Sequence, residues 1–309
     1  MIDLPSMVEV RAAARRIEPH THRTPVFTSQ YLDGGTGATV FLKAENLQKV
    51  GAFKARGATN AILSLSEDDA ARGVVTHSSG NHGQAVAYAC SIRGISATVV
   101  MPEHAPEVKV DAVMGYGASV VLCPQSERAQ TVFRLIAEHD YTEVHPFDDA
   151  AIIAGQATAT LELVDQVPDL DVVLAPIGGG GLLSGASIVA ADRGIDVVGA
   201  EPEVVDDSFR SLRDGVRYPA TGAISVGDGL LVGIGAIPFA ILSGANRTVV
   251  TVSEDEIINA MRVLAQRTKL VVEPSGATAV AALIRHAPLF AGKRVGVILS
   301  GGNVGEVHS

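Results

Sequence analysis

Three apolar segments of this chain are each followed by a turn that is rich in glycine, serine or asparagine. The segments and their turns are 74–76 with 78–83, 171–177 with 178–181, and 294–299 with 300–303. Short apolar runs that alternate with helical segments are typical of parallel sheets, whose strands are buried on both faces. Residues at the carboxyl ends of such strands point into the crevice where α/β proteins bind ligands. The pattern therefore predicts an α/β protein with a ligand site built from these turns.

The composition agrees with this class of fold. The 309 residues are enough for a sizeable core, in one large or two modest domains. Hydrophobic residues make up 47% of the chain and aromatic residues 4%, and there are 32 glycines. This profile fits an α/β protein that is rich in alanine, valine and glycine.

Charge and hydropathy exclude several classes of function. The net charge of −10 argues against binding to nucleic acids or to anionic membranes. No run of about 18 apolar residues predicts a membrane span, and the first residues lack the apolar core of a signal peptide. Cys90 and Cys123 do not form a C-x-x-C pair and are expected to be buried thiols. A cytoplasmic location is therefore expected.

A small α/β domain is predicted over residues 66–147. Its expected elements after the strand at 74–76 are helix 84–93, strand 96–101, helix 105–114, strand 119–122 and helix 126–139. The alternation of strands and helices resumes at Asp148, so residues 1–65 and 148–309 are expected to form a large domain. The small domain is expected to be mobile, because a site between two lobes allows one lobe to close on the ligand.

Lys54 is the first candidate for chemistry. It follows Gly51-Ala52-Phe53 and precedes Ala55, so its neighbours in the chain are an aromatic ring and small residues. Such a lysine can stand in a partly desolvated pocket, where burial favours the neutral amine. The neutral amine is the form that condenses with an aldehyde to give a Schiff base. The alternative is an ordinary solvated lysine, which is what most lysines are.

Two of the turns suit anions. The turn 78–83 leads from a strand into a helix, and its N–H groups and hydroxyls suit an amino acid carboxylate, although an ordinary capped turn uses the same residue types. The four glycines 178–181 expose backbone amides without Cβ atoms, which lets a phosphate approach the next helix closely. They do not fit the G-x-G-x-x-G dinucleotide pattern, and the chain has no G-x-x-x-x-G-K-[ST] loop.

In this order, the Lys54 segment and the three turns resemble the fold-type II pyridoxal phosphate enzymes, and within them the serine/threonine dehydratase and serine racemase family. The similarity runs from about Thr24 to Asn303 and includes the segments 154–156 and 272–277. It implies two three-layer αβα lobes with mostly parallel sheets, of the tryptophan synthase β-like fold. It also implies pyridoxal 5′-phosphate in the cleft between the lobes, a small amino acid substrate and a homodimer.

The resemblance implies a role for each matching residue. Lys54 would carry the cofactor as a Schiff base and, once displaced by substrate, act as the base at Cα. Phe53 would lie against the pyridine ring, Asn81 would bond its phenolic oxygen, and Ser300 would meet its nitrogen. The phosphate would be held by Gly178, Gly179, Gly180, Gly181 and Leu182. The substrate would contact Ser78, Ser79, Asn81 and His82 through its carboxylate, and Asp228 near its side chain.

Ser300 favours one reaction over the others. A carboxylate partner would keep the pyridine nitrogen protonated, whereas a neutral hydroxyl should leave it unprotonated and the ring a weaker electron sink. Prompt expulsion of a group from Cβ suits such a site. A β-hydroxy amino acid such as L-threonine or L-serine would lose its Cα proton and water, and the resulting aminoacrylate would give a 2-oxo acid and ammonia. The prediction is a dehydratase of the ammonia-lyase type.

A racemase is the main alternative. In racemases of this family, a serine that matches Ser79 stands across the cofactor from the lysine, although some dehydratases share it. The segment 226–233 keeps Asp228 but has apolar Val232 where the best-known racemases have a serine. A missing buried hydroxyl is worth about 1 kcal/mol, and an apolar wall favours a larger β-substituent, so the dehydratase is preferred. A synthase that replaces the β-substituent and a cofactor-free binding protein are further alternatives.

A divalent metal site is also predicted. Glu201 follows an apolar segment and precedes Pro202 and the pair Asp206-Asp207. Carboxylates and backbone carbonyls are hard oxygen ligands that suit Mg²⁺ or Ca²⁺. The resemblance implies that Glu201, the carbonyl of Val205 and Asp207 bind Mg²⁺, Ca²⁺ or Mn²⁺. Without the resemblance, a role for the two aspartates as caps of the next helix is equally favoured.

Overall fold

The computed structural model describes residues 4–78, 80–245 and 247–304, which form two sheets with flanking helices. The strands are β1 Val26–Thr28, β2 Thr39–Lys43, β3 Val74–His77, β4 Ala97–Pro102, β5 Ser119–Cys123, β6 Thr142–Glu143, β7 Val172–Pro176, β8 Asp196–Pro202, β9 Thr248–Val252 and β10 Arg294–Ile298. The α-helices are α1 Met7–Ile17, α2 Gln30–Thr36, α3 Lys54–Ser64, α4 Glu67–Ala71, α5 Asn81–Arg93, α6 Glu107–Met114, α7 Arg128–His139, α8 Ala150–Gln166, α9 Gly181–Arg193, α10 Asp207–Asp214, α11 Ala236–Gly244, α12 Glu254–Val263 and α13 Pro274–Arg285.

The larger sheet has six strands in the order β1-β2-β10-β7-β8-β9, all parallel except β1, which is antiparallel to β2. Successive side chains of a strand point to opposite faces, so the sheet contributes to two separate cores. Val172 and Leu174 of β7 join the core formed with α12 and α13, while Val173 and Ala175 join the core formed with α8 and α9. Helices therefore cover both faces, which confirms the predicted fold class.

The smaller sheet has four parallel strands in the order β5-β4-β3-β6. Val74 and Val99 pack with α3 and α5 on one face, and Val75 and Val100 pack with α7 on the other. All four strands come from the predicted small domain, whose boundaries stay a prediction. Helix α3, which begins at Lys54, packs against both α5 and α8 and so joins the two halves of the molecule.

Several boundaries differ from those expected from the sequence. Helix α5 begins at Asn81 and not at Gln84, because Gly80 already turns the chain into the helix as its N-cap. Helix α6 begins at Glu107 and not at Ala105, since the proline at 106 disfavours helical backbone in the residue before it. The expected alternation breaks after β8, because α10 and α11 both precede β9, and α12 and α13 both precede β10.

The structure also bears on the two cysteines and on helices that could span a membrane. Cys90 in α5 and Cys123 in β5 are both buried free thiols, as predicted. In the parts of the chain that the structure describes, no helix is long and apolar enough to cross a membrane.

A buried ionic cluster lies beneath the start of α3. The guanidinium of Arg56 binds Glu45 through contacts of 2.7 and 2.8 Å and Glu162 through contacts of 2.7 and 2.9 Å. The Nζ atom of Lys43 lies 2.7 Å from Glu162 as well. Arg56, Lys43 and Glu45 are fully buried, so two cations and two carboxylates balance one another almost entirely out of water. Removal of one partner would leave an uncompensated buried charge, so the cluster fixes β2, α3 and α8 relative to one another.

Candidate active site

A cleft at the carboxyl ends of β3, β7 and β10 brings most of the predicted site residues together, and its volume is about 190 Å³. The predicted residues that line it are Phe53, Lys54, Ser78, Asn81, His82, Gly178, Gly179, Gly180, Gly181, Leu182, Asp228 and Ser300. Ser79 lies outside the described residues. The predicted metal ligands Glu201, Val205 and Asp207 are not among the lining residues.

Lys54 is the first residue of α3 and is half-buried in the cleft. Its Nζ atom donates to the carbonyl oxygen of Pro146 at 2.8 Å and lies 5.2 Å from the centroid of the Phe53 ring. Burial lowers the pKa of Lys54 from 10.5 to about 8, because desolvation disfavours the ammonium ion. This is the environment that the sequence around Lys54 predicted, and it makes the amine available as a nucleophile or base near neutral pH.

The chain turns sharply just before Lys54. Val50 has a φ of 53° and Gly51 a φ of 68°, so two consecutive residues have left-handed backbone. This conformation is unusual for a β-branched residue and costs on the order of 1–3 kcal/mol. The residues that follow run beside the turn after β10, where the N–H of Phe53 donates to the carbonyl oxygen of Ser300 at 3.0 Å. Lys54 is therefore attached to a strained turn that the carboxyl end of β10 supports.

The four glycines form a closely packed turn at the start of α9. Gly180 has a φ of 91°, which favours glycine, and is the N-cap of the helix. A Cβ atom on Gly179 would overlap the ring of Phe147, and one on Gly178 would come within 2.9 Å of the Cα atom of Leu230. The N–H groups of residues 178–182 have no protein acceptor within the described ranges. Free N–H groups at a helix N-terminus suit an anion such as a phosphate.

A carboxylate to which the sequence assigned no role lies beside Asn81. The oxygens of buried Glu273 accept from the Nδ2 atom of Asn81 at 2.8 Å and from the backbone N–H of Asn303 at 3.1 Å. Burial, together with the nearby charge of Asp228, raises the pKa of Glu273 to about 7, although the two hydrogen bonds act in the opposite direction. The segment around Glu273 fits the family pattern, but a glutamate before a helix gives no individual signal.

Two histidines, His77 and His82, line the cleft, and His145 packs against His77. The Nε2 atom of buried His82 lies 3.3 Å from the carbonyl oxygen of Val144, and its Nδ1 atom has no hydrogen-bond partner among the residues described. Burial lowers the pKa of His82 well below 6.5 and that of His77 to about 4. The His77 and His145 rings lie edge to face, with centroids 5.9 Å apart. His77 and His82 are thus neutral hydrogen-bonding groups near pH 7.

Two cations from helices of the smaller sheet also line the cleft. The Nζ atom of Lys109 in α6 lies 2.8 Å from the Oδ2 atom of Asp228, so this ion pair spans the cleft. Arg128 at the start of α7 donates from Nε to the carbonyl oxygen of Gln125 at 3.3 Å. Over the described ranges, no carboxylate pairs with Arg128. A half-buried guanidinium in this state suits an anionic ligand.

Glu201 and Asp207 form a separate buried acidic pair. Glu201 accepts from the backbone N–H groups of Ser208 at 3.1 Å and Phe209 at 2.8 Å, whereas the buried oxygens of Asp207 have no partner in the described part of the chain. Burial raises the pKa of Glu201 to about 8 and that of Asp207 to about 6. Asp206 makes no capping hydrogen bond, which argues against the helix-cap alternative. No three His, Cys, Asp or Glu side chains of the described residues converge as metal ligands, so a cation here would need main-chain oxygen as well.

The cleft fits pyridoxal phosphate. Lys54 offers an amine of low pKa for the aldehyde, and the free N–H groups of residues 178–182 offer a cradle for the phosphate. Any side chain on Gly179 would close that cradle against Phe147. Asn81 and Ser300 also line the cleft and offer hydrogen-bonding groups that suit the polar atoms of the ring.

Comparison with known proteins agrees with this fit. Residues 17–301 match the family described as pyridoxal-phosphate dependent enzyme. The chain is 44% identical to the serine racemase of Dictyostelium discoideum over 309 residues, which cover 97% of this chain and 95% of the relative. It is also 44% identical to the beta-hydroxyaspartate dehydratase of Paracoccus denitrificans over 305 residues, which cover 97% of each chain.

Solved structures show the same similarity. The serine racemase of D. discoideum matches with a TM-score of 0.93 over 98% of this chain and 99% of that one. The threonine deaminase of T.th. matches with a TM-score of 0.91 at 42% identity, over 98% of this chain and 99% of that one. The names of these relatives cover both activities that the sequence suggested, a dehydratase and a racemase. The family match confirms pyridoxal phosphate as the cofactor at the level of the family. The chain belongs to the family of pyridoxal-phosphate dependent enzymes.

Proposed function

We propose that the protein is a dehydratase that converts a β-hydroxy amino acid to a 2-oxo acid and ammonia. The observation that supports this most directly is the presence, in one cleft, of Lys54 with a pKa of about 8 and Ser300 at the end of β10. A lysine with this pKa can act as a base near neutral pH. A serine in place of a carboxylate makes the cofactor ring a weaker electron sink, which suits prompt loss of a group from Cβ.

Individual roles are part of this proposal. Lys54 carries the cofactor, and Phe53 packs against its ring. The N–H groups of residues 178–182 bind its phosphate, because they are free within the described ranges. Ser300 meets the ring nitrogen. Asn81 uses the second hydrogen of its Nδ2 atom, beyond the one donated to Glu273, for the phenolic oxygen.

The substrate is held on the other side of the cleft. Ser78, Ser79, Asn81 and His82 surround its carboxylate, and the unpartnered Nδ1 atom of buried His82 offers one hydrogen-bonding position. Asp228 lies near its side chain. Because the His82 imidazole is neutral, it would not form an ion pair with the substrate carboxylate. Hydrogen bonds and the N-terminus of α5 would bind the carboxylate instead.

The reaction balances as loss of water followed by hydrolysis. When bound, pyridoxal phosphate supplies a sink for the electron pair that is left at Cα. Lys54, freed from the cofactor by the substrate, would accept the Cα proton and pass it to the β-hydroxyl, which leaves as water while a double bond forms between Cα and Cβ. The released enamine tautomerises and takes up water, which gives the 2-oxo acid and ammonia.

A second carboxylate on the substrate is also part of the proposal, so that 3-hydroxyaspartate is the preferred substrate. Arg128 lines the cleft, and no carboxylate of the described residues neutralises it. Lys109 pairs with Asp228, so it can exchange one carboxylate for another. The P. denitrificans relative is named for a dehydratase of this substrate. Val232 contributes an apolar wall to the cleft. Lys109 and Arg128 are therefore the groups that would select a substrate with a charged β-substituent.

Amino acid racemisation is the second candidate. It is favoured by the named serine racemases among the relatives and by Ser79, whose neighbours Ser78 and Gly80 line the cleft. Ser79 would exchange a proton with Cα on the face opposite to Lys54. Inversion of an amino acid keeps its β-hydroxyl, so it releases no 2-oxo acid and can be measured separately.

A divalent cation bound by Glu201, Asp207 and the carbonyl of Val205 is proposed as a structural support of activity. The support for this site is Asp207, whose two buried oxygens lack partners within the described ranges. Mg²⁺, Ca²⁺ or Mn²⁺ would satisfy such oxygens, because these ions prefer carboxylate and carbonyl ligands.

The organisation of the molecule is also proposed in part. Residues 66–147 would act as a mobile lobe that closes on the substrate. The Lys109–Asp228 ion pair reaches across the cleft, so this contact would form or break as the lobe moves. The family resemblance supports a homodimer. The two buried free thiols support a reducing compartment such as the cytoplasm.

A substrate panel tests the proposed function. The purified protein with its cofactor is given 3-hydroxyaspartate, L-threonine and L-serine, and the release of 2-oxo acid is measured with Lys54→Ala as the control. Release from 3-hydroxyaspartate that is lost in the control is the expected result. Inversion of serine without release would favour the racemase. Consumption that requires an added thiol or indole would favour a synthase, and a protein that binds no cofactor would overturn all three.

A further inference from the structure

We infer that Asn303 is a positioning residue that ties the turn before Lys54 to Asn81. This inference rests on the proposed roles of Lys54 and Asn81 at the cofactor. It concerns a residue that lines the cleft but takes no part in the reaction proposed above.

The carboxamide of Asn303 joins two segments that are far apart in the sequence. Its Nδ2 atom donates to the carbonyl oxygen of Val50 at 2.8 Å and to the Oδ1 atom of Asn81 at 2.8 Å. A carboxamide nitrogen has two hydrogens, and both are used here. Because a backbone carbonyl oxygen can only accept, the contact with Val50 determines which end of the Asn303 carboxamide faces the turn.

The orientation of Asn81 is determined in the same way. Its Nδ2 atom donates to the Oε1 atom of Glu273 at 2.8 Å, which leaves its Oδ1 atom to accept from Asn303. The backbone N–H of Asn303 donates to the Oε2 atom of Glu273 at 3.1 Å and closes the ring of contacts. The three residues therefore hold one another in a single arrangement, which fixes the orientation of the Asn81 side chain at the start of α5.

The turn that Asn303 holds leads directly to Lys54. Val50 and Gly51 both have left-handed backbone, and a Cβ atom on Gly51 would overlap the Oδ1 atom of Asn303. The carbonyl oxygen of Gly51 accepts from the N–H of Gly302 at 2.9 Å, so the backbone of this segment is paired as well. Strained backbone persists where its surroundings determine it. Loss of the Asn303 side chain would let Val50 relax, and Lys54 would move with it.

The test uses two variants of Asn303 and a matched control. Asn303→Asp keeps the size of the side chain but cannot donate to Val50 and Asn81, and Asn303→Ala removes both contacts. Asn46→Ala is the control, because the Nδ2 atom of Asn46 also donates to a backbone carbonyl oxygen, that of Val271 at 2.9 Å. Asn46 does not line the cleft.

Both Asn303 variants of the holoenzyme are expected to lose kcat by about 10- to 100-fold, because a small misplacement of a reacting group is costly. KM is expected to change less than about threefold. Hydrogen exchange should become faster at residues 50–54, and the midpoint of the pH titration of the cofactor absorption should shift. Addition of Val50→Gly to Asn303→Ala should recover part of kcat, because glycine adopts left-handed backbone without strain.

The inference is overturned if the Asn303 variants lose thermal stability as Asn46→Ala does but keep kcat, the absorption midpoint and slow exchange at residues 50–54. Asn303 would then be a structural residue only. The exchange and absorption measurements do not depend on the substrate. A wild-type protein with bound cofactor that releases no 2-oxo acid would therefore refute the dehydratase and leave the positioning role to be judged by these two measurements.

Discussion

The Nζ atom of Lys54 donates a 2.8 Å hydrogen bond to the carbonyl oxygen of Pro146, in a pocket bordered by the Phe53 ring. The carbonyl oxygen holds the amine in place but carries no full negative charge. A carboxylate in its position would stabilise the ammonium ion and raise the pKa of the lysine. The amine is therefore positioned while burial still lowers its pKa.

This arrangement predicts how cofactor capture depends on pH. At pH 7.5, a pKa of about 8 leaves about a quarter of Lys54 neutral, against about one in a thousand for a lysine of pKa 10.5. The rate at which cofactor-free protein captures pyridoxal phosphate should therefore rise with pH up to about 8 and then level off. The visible absorption of the bound cofactor measures this rate, with Lys54→Ala as the control. A rate that climbs steadily toward the pKa of a solvated lysine would contradict the lowered pKa.

Gly179→Ala is expected to weaken cofactor retention by at least about tenfold. The new Cβ atom would overlap the ring of Phe147, so the turn must move and its N–H groups lose their alignment. Gly244→Ala is the control, because a Cβ atom there meets nothing within 4 Å. Equilibrium dialysis followed by absorption measures retention. Equal retention by the two variants would be evidence against a phosphate cradle.

Arg128→Gln is expected to lower kcat/KM for 3-hydroxyaspartate by about 10- to 100-fold, since a hydrogen bond to a charged group is worth about 1.5–3 kcal/mol. Turnover of L-serine, which lacks the second carboxylate, should change by less than about twofold. Arg134→Gln on the same helix is the control, because Arg134 pairs with Glu138 on the surface. Equal losses for both substrates would show that Arg128 does not bind the β-carboxylate.

Arg56→Met is expected to lower the free energy of unfolding by about 3–5 kcal/mol. The variant leaves Glu45 without its cation in a fully buried position, while Glu162 keeps Lys43. Arg213→Met is the control, because Arg213 pairs with Asp214 on the surface and should have little effect. Urea unfolding compares the two variants. A similar midpoint for both would mean that the cluster contributes no more than a surface pair.

Mg²⁺ is expected to stabilise the wild-type protein against heat, and removal of the cation with a chelator should reverse the effect. At about 100 times Kd, binding adds about 2.7 kcal/mol to the free energy of unfolding. Asp207→Asn should abolish the shift in Tm. Asp206→Asn should retain it, because Asp206 pairs with Arg210 and is not one of the proposed ligands. The same shift in both variants would place the cation elsewhere.

Much of the site could be predicted because its parts follow local patterns. The glycine turn and Ser300 come directly after apolar segments that form the parallel strands β7 and β10. The carboxyl ends of parallel strands lie at one edge of a sheet, so residues that follow them meet there. Lys54 was recognisable because its small neighbours and the order of the motifs match one family. The order of motifs was therefore enough to predict many, though not all, of the residues that line the cleft.

The residues that were missed act through distant partners. Glu273 pairs with Asn81 across 192 residues, and Lys109 pairs with Asp228 across 119 residues. Such pairs depend on how the two sheets pack, and no local pattern encodes that. Val50 was missed for a different reason, because a β-branched residue in left-handed backbone goes against its intrinsic preference. Only the contacts that surround the turn impose that conformation.

The strand order of the larger sheet also bears on how the protein is made. Strand β10 lies between β2 and β7 and pairs with β2 across about 250 residues of chain. During synthesis, the two parts of this sheet cannot join before residue 298 has been added. Lys54 is made before β10, whereas Ser300 and Asn303 are made after it. A site that needs both Lys54 and Ser300 is complete only after β10 has been made, and a nascent chain that stops before β10 would expose two unpaired strand edges to aggregation.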